Sequence, residues 1–217
     1  MPGDLDYAAL RDRMVRTQIV ARGVRDARVL DAMHEVPRHL FVMPGNEPYA
    51  YDDRPLPIGE GQTISQPFMV AAMTVALKPS PADRILEVGT GSGYQAAVLG
   101  RLAREVVSVE RHERLAARAR ATLAAAGATN VRVVVGDGSE GLASDAPFDG
   151  IIVTAGAPSV PQSLKEQLAD GGRLVIPVGG GDHQLLTVIT RHGGEFSTAT
   201  GDACVFVPLL GRFGWHP

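Results

Sequence analysis

Residues 84–100 read RILEVGTGSGYQAAVLG, and this stretch decides the fold. The short apolar run at 84–88 has the length and composition of a buried strand. The glycines at 89, 91 and 93 let the backbone turn tightly and let a ligand approach closely. From Tyr94 the apolar spacing becomes that of a helix. A glycine loop between strand and helix is the context in which such loops hold nucleotide-like ligands. The spacing is G-x-G-x-G, and Tyr94 stands where the dinucleotide fingerprint has its third glycine. Glu87 adds a carboxyl at the strand end. Helix N-termini favour anions, so this acid suits a cationic or amino-bearing ligand better than a pyrophosphate.

Downstream the alternation continues. EVVSVE (105–110), VRVVVGDG (131–138) and FDGIIVTAG (148–156) read as strands, with a long helix over 111–127 between the first two. PQSLKEQLADGG (161–172) reads as a helix with a glycine stop. RLVIPVG (173–179), QLLTVITRH (184–192) and ACVFVPL (203–209) read as closely spaced strands. Nearly all-apolar strands alternating with helices predict a parallel sheet covered on both faces, and the last strands predict an antiparallel edge. Upstream, helical spacing predicts one helix ended by Gly23 and a second capped by Asp26 that stops before Pro37. Residues 44–62 are rich in proline and glycine and read as a long ordered loop. A third helix is expected over 67–77, with Pro67 in its first turn. One domain is expected over 1–217, a helical extension over 1–80 preceding a cofactor-binding core over 81–217.

Acids recur at the strand ends. Glu110 closes the second strand, where a carboxylate can accept both ribose hydroxyls of a nucleoside. Asp137, between Gly136 and Gly138, follows the third strand, placed to bond an adenine amino group or to orient the loop that does. Plainer readings stand beside these: Glu110 as an exposed strand cap, Asp137 as a turn residue. Three carboxyls at successive strand tips converge on the crevice where open α/β sheets bind ligands. The set resembles the S-adenosylmethionine site of class I methyltransferases.

The segment GQTISQP (61–67) makes the resemblance specific. Together with ILEVGTGSGYQAAVL, FDGIIVTAGAP, LADGGRLVIPVG and FVPLLG it resembles the protein-L-isoaspartate (D-aspartate) O-methyltransferase family, from about Arg13 to Gly211. The resemblance implies an α/β class I S-adenosylmethionine-dependent methyltransferase. Its fold is Rossmann-like, a mostly parallel seven-stranded sheet with helices on both faces, plus N-terminal helices. It implies S-adenosyl-L-methionine as methyl donor, S-adenosyl-L-homocysteine as product, and isoaspartyl-containing proteins and peptides as partners. Cofactor contact is thereby expected from Glu87, Val88, Gly89, Gly91, Ser92, Glu110, Arg111, Asp137, Gly138, Pro67 and Val70. Substrate contact is expected from Thr63, Ile64, Ser65, Val205 and Val207, with Ser65 as the active-site serine. Read locally, Ser65 is more readily a helix cap than a catalytic residue, and the 205–209 stretch is equally a plain core strand.

Composition sets the negatives. With a net charge of -3 and no polybasic run, the footprint of a nucleic-acid binder is missing. A single cysteine, Cys204, excludes a disulfide scaffold. The six histidines show no metal-ligand spacing, so no metal is expected. The start, MPGDLDYAALRDR, has no leader-like apolar core and no run suits a membrane span, so neither a secretory leader nor a membrane segment is expected. The lone thiol fits a reducing, cytoplasmic setting, and a monomer is expected. Alternatives from other classes are a nicotinamide-dependent oxidoreductase, which Tyr94 disfavours, a methyltransferase of small molecules or RNA, and a non-enzymatic S-adenosylmethionine sensor.

Overall fold

A computed structural model describes residues 5–181 and 183–216; the first four residues of the start segment read above lie outside it. The chain begins with α1 (Tyr7–Met14), which runs on through a π turn (Val15–Ile19) and a 3-10 turn to Gly23. Next comes α2 (Ala27–Glu35), capped by the Asp26 carboxylate, which accepts the amides of Arg28 and Val29 at 3.0 and 3.2 Å. Such a cap contributes about 1 kcal/mol. Val29, Ala32 and Met33 form its buried stripe.

The stretch expected to be only loop contains a hairpin, β1 (Leu56–Gly59) and β2 (Gln62–Ile64), paired Leu56↔Ile64 and Pro57↔Thr63. Proline is tolerated there because β1 is an edge strand. The hairpin leads into α3 (Pro67–Leu77), apolar nearly all round. A helix of that composition has to be enclosed, and Val70, Ala71, Met73 and Leu77 are buried.

The core follows as β3 (Arg84–Val88), α4 (Tyr94–Gly100), β4 (Glu105–Glu110), α5 (Glu113–Ala125), β5 (Val131–Val135) and β6 (Phe148–Val153). It ends with α6 (Gln162–Glu166), β7 (Leu168–Gly180), β8 (His183–His192) and β9 (Glu195–Cys204). The sheet order is β5-β4-β3-β6-β7-β8-β9. The first five strands in that order are parallel, and β8 and β9 are antiparallel at one edge, as expected. Chain direction across the sheet reverses between β3 and β6. That switch point opens a crevice at the carboxyl ends of the strands.

Two expectations are corrected here. The helix expected over 161–172 stops at Glu166, because Leu168 already pairs with Phe148 in the sheet. The Gln167 side chain is also committed, accepting the Leu142 amide at 2.7 Å and donating to the Glu140 carbonyl at 2.8 Å. The last strand is Glu195–Cys204 rather than 203–209; Val205–Leu209 continue outside the named strands, with one bridge, Gly156↔Pro208. No helix among the described residues is long and apolar enough to cross a membrane.

Candidate active site

An open cleft occupies the switch point. Its floor is the glycine loop after β3, its sides the tips of β4 and β6, and its roof the hairpin and the segment after β9. Gly89 sits at φ +95°, and a Cβ there would collide with the Thr154 hydroxyl. That hydroxyl donates to the carbonyls of Gly89 and Val88 at 2.7 and 3.1 Å, fixing the loop to β6. Over the loop lies Ile58 of the hairpin, the nearest atom to a Cβ built on Gly91.

Glu110 is buried at the tip of β4 and lines the cleft. One carboxylate oxygen accepts the Gly91 amide at 2.8 Å and the other the His112 amide at 2.9 Å. The exposed-cap reading therefore falls. Glu110 ties the glycine loop to β4, and each oxygen keeps a second lone pair for a ligand hydroxyl. The adjacent His112 Nε2 is buried with no hydrogen-bond partner among the described residues, and His112 also lines the cleft.

Ser65, Ile64 and Thr63 line the same cleft. The cap of α3 is Gln66 and receives no side-chain bond, so Ser65 is not spent on capping. Val70, Val207, Arg111, Gly138, Ser92 and Val88 line the cleft as well.

Four expected contacts lie elsewhere. Glu87 is register-paired with Ser108 on β4 and faces away from the cleft, because strand side chains alternate and Val88 takes the cleft side. Its carboxyl accepts the Ser108 hydroxyl, which in turn meets the Thr90 hydroxyl at 2.5 Å. Burial pushes the Glu87 carboxyl up to about 8, the Ser108 bond opposing and Glu110 adding. Glu87 thus shapes the loop from behind, as a neutral acid. Asp137 turns to the chain end: one oxygen accepts the amide and hydroxyl of Ser139, the other the Arg212 amide at 2.7 Å. Burial alone raises its carboxyl, but these donors hold it below the ordinary range. It orients the loop and pins the segment carrying Leu209 and Leu210, which are cleft walls. Pro67 is buried in the first turn of α3, and Val205, at 65% exposure, lies outside the cleft. Thr154, His112 and Gln95 line the cleft without having been singled out from sequence, and so does Tyr94, read there only as the departure from the dinucleotide fingerprint. Thr154 directly follows a strand, so the strand-tip rule that found Glu110 also reaches it.

The family profile described as "Protein-L-isoaspartate(D-aspartate) O-methyltransferase" matches residues 10–214. This chain belongs to the protein-L-isoaspartate O-methyltransferase family. It is 57% identical over 206 residues to the protein-L-isoaspartate O-methyltransferase of Methanoregula boonei, covering 95% of each chain. Against that of Koribacter versatilis the identity is 53% over 211 residues, covering 97% of this chain and 95% of the other. A solved protein-L-isoaspartate O-methyltransferase superposes with a TM-score of 0.83 at 27% identity, over 96% of this chain and 67% of that one. A Plasmodium falciparum structure in complex with S-adenosyl-L-homocysteine shares the fold, with a TM-score of 0.81 at 24% identity over 95% and 99% of the chains.

Proposed function

We propose that this protein moves a methyl group from S-adenosyl-L-methionine to the free α-carboxylate of L-isoaspartyl residues in damaged proteins and peptides. The observation that carries the reading is one cleft lined both by the glycine loop with Glu110 and by the turn carrying Ser65, which we read as a nucleoside end and an acceptor end. The nucleoside end fits the donor. It offers carboxylate lone pairs for two ribose hydroxyls, a close-approach loop, and an orphaned His112 ring nitrogen. S-adenosyl-L-methionine, when bound, supplies an electrophilic methyl on a sulfonium and leaves as neutral S-adenosyl-L-homocysteine.

The acceptor side needs little chemistry from the protein. An α-carboxylate has a pKa of about 3.3–3.7, so it is ionised at neutral pH and requires no general base. The residues have to take it out of water and hold it in line. Ser65 donates its hydroxyl to one carboxylate oxygen, Thr63 and Ile64 shape the turn, and Val207 offers main chain beside the peptide. Orientation of this kind is worth roughly 7–11 kcal/mol. Recognition through main chain suits a substrate defined by its backbone. The following amide nitrogen then attacks the ester carbonyl and expels methanol, closing the succinimide, whose hydrolysis regenerates some normal aspartate. We further assign Gly89, Gly91, Ser92, Glu110, Arg111 and Gly138 to the donor, and a cytoplasmic monomer as the working form.

The test is transfer of labelled methyl to an isoaspartyl peptide beside its normal aspartyl twin. Label is expected in the first alone. Ser65→Ala is expected to leave S-adenosyl-L-homocysteine affinity unchanged and to lower turnover roughly ten- to a hundredfold, the equivalent of one hydrogen bond to a charged group. Equal labelling of the twins, or unchanged turnover in the variant, would refute the assignment.

A further inference from the structure

Behind the turn that carries Ser65 lies a cation with no ionic partner among the described residues. Arg38 follows Pro37 at the start of a 3-10 turn, and its side chain is 0% exposed. Nε donates to the Ala50 carbonyl and Nη2 to the Ser65 carbonyl, each at 2.7 Å. Nη1 is buried without an acceptor. The guanidinium carbon lies 4.7 Å from the centroid of the Tyr94 ring, and Tyr94 is itself a wall of the cleft. Among the described residues no carboxylate forms an ion pair with it. Burial lowers its pKa to about 10, which still leaves it charged at neutral pH.

A guanidinium withdrawn from water is costly unless charge and hydrogen bonds compensate it. Two carbonyls and a ring face do so in part. An apolar side chain would fill the same space without that cost. The retained charge needs a use, and two are on the page. The fork fixes the peptide plane of Ser65, and with it the direction in which the serine side chain leaves the backbone. The same charge sits behind the place where, on the function proposed above, an ionised carboxylate must leave water.

We propose that Arg38 is a positioning residue for the methyl acceptor: it clamps the Ser65 turn and is the buried counter-charge behind the substrate carboxylate. This rests on the isoaspartyl reading. It acts through Ser65 and through the field, without touching substrate. The field favours the ionised acceptor over the neutral ester, so it aids capture of substrate and release of product.

The test uses the full chain and two peptides, one with the isoaspartyl α-carboxylate and one with the α-carboxamide as competitive inhibitor. The wild type is expected to prefer the carboxylate by roughly ten- to a hundredfold, the range a charge behind the site gives at an intermediate dielectric. Arg38→Met is expected to bring that preference to within a few-fold and to raise peptide KM about tenfold, with S-adenosyl-L-homocysteine affinity unchanged. Arg38→Lys keeps the charge and loses the fork; it is expected to keep the preference and to lower kcat. The lysine variant also keeps the test readable where the methionine variant does not fold. A wild type indifferent to carboxamide, an Arg38→Met enzyme with unchanged KM, or an Arg38→Lys enzyme with unchanged kcat overturns the inference while the functional reading stands. A wild type that methylates no isoaspartyl peptide overturns the functional reading and, with it, this one.

Discussion

Replacing Glu87 by Gln tests how the glycine loop is built. The carboxyl is 0% exposed, takes the Ser108 hydroxyl on one oxygen and leaves the other without a partner. Burial raises its pKa from 4.5 to about 8. The folded protein therefore holds this proton at neutral pH, whereas the unfolded chain releases it in the ordinary carboxyl range. Between those two values the folded state binds more protons. Stability is complete below the unfolded value and falls as pH rises toward the folded one. Each pH unit in that window costs about 1.4 kcal/mol, so roughly 3 kcal/mol is lost by neutral pH and roughly 5 by the top of the window. Glu87→Gln keeps the shape, offers an amide to Ser108 and removes the titration. The variant is expected to match the wild type near the acid end and to exceed it at mildly alkaline pH by roughly 8–15 °C in melting temperature. Urea unfolding of both proteins across the window checks this. A difference in stability that stays flat with pH would show that no neutral buried carboxyl exists there.

Two further outcomes follow from the loop and its anchors. Gly89→Ala forces a side chain to φ +95° against the Thr154 hydroxyl; we expect a loss of about 1–3 kcal/mol in stability, with weaker S-adenosyl-L-homocysteine binding by calorimetry. Unchanged binding there would separate the loop from the donor. Asp137→Ala frees the Arg212 and Ser139 amides. Its carboxyl lies below the ordinary range in the folded state, so its stabilisation is present above the unfolded value and fades as pH falls through the folded one. The gap to the wild type, about 1–2 kcal/mol at neutral pH, is expected to close on acidification; a gap constant in acid denies Asp137 its anchoring role.

What was legible in the sequence was what the local backbone dictates. The glycine loop needs left-handed or crowded backbone, so its residues announce it. The buried parallel strands announce themselves through uninterrupted apolar runs, because both faces of the sheet are covered. β9 was missed for the converse reason. It is an edge strand, exposed along most of its length, and EFSTATGDAC carries no alternation to read. The hairpin at 56–64 was hidden by prolines and glycines that mark turns more loudly than they mark two short strands. Past Glu166 the helix pattern was outvoted by strand pairing, a tertiary effect that propensity does not contain.

The site divides along the same line. Sequence placed Glu110 in the cleft because a strand tip is a position, and a position can be counted. It misplaced the carboxyl of Glu87 because facing is a matter of parity: Glu87 and Val88 are neighbours, and only one of them can look into the crevice. It said nothing of Arg38, since a buried arginine carries no local signature; its meaning lies in the two carbonyls it reaches, one of them 27 residues away in the chain. The acids and the arginine then fall into one arrangement. The charge proposed to meet ligand, Glu110, sits at a strand tip facing the cleft. Charges that hold the machinery, Glu87 behind the loop and Arg38 behind the Ser65 turn, are fully buried, one kept neutral and the other kept charged. A carboxyl behind the donor's loop can afford to be neutral, since it only receives a serine. A cation behind the acceptor's turn is useful only while charged, and a guanidinium is the side chain that burial does not discharge at neutral pH.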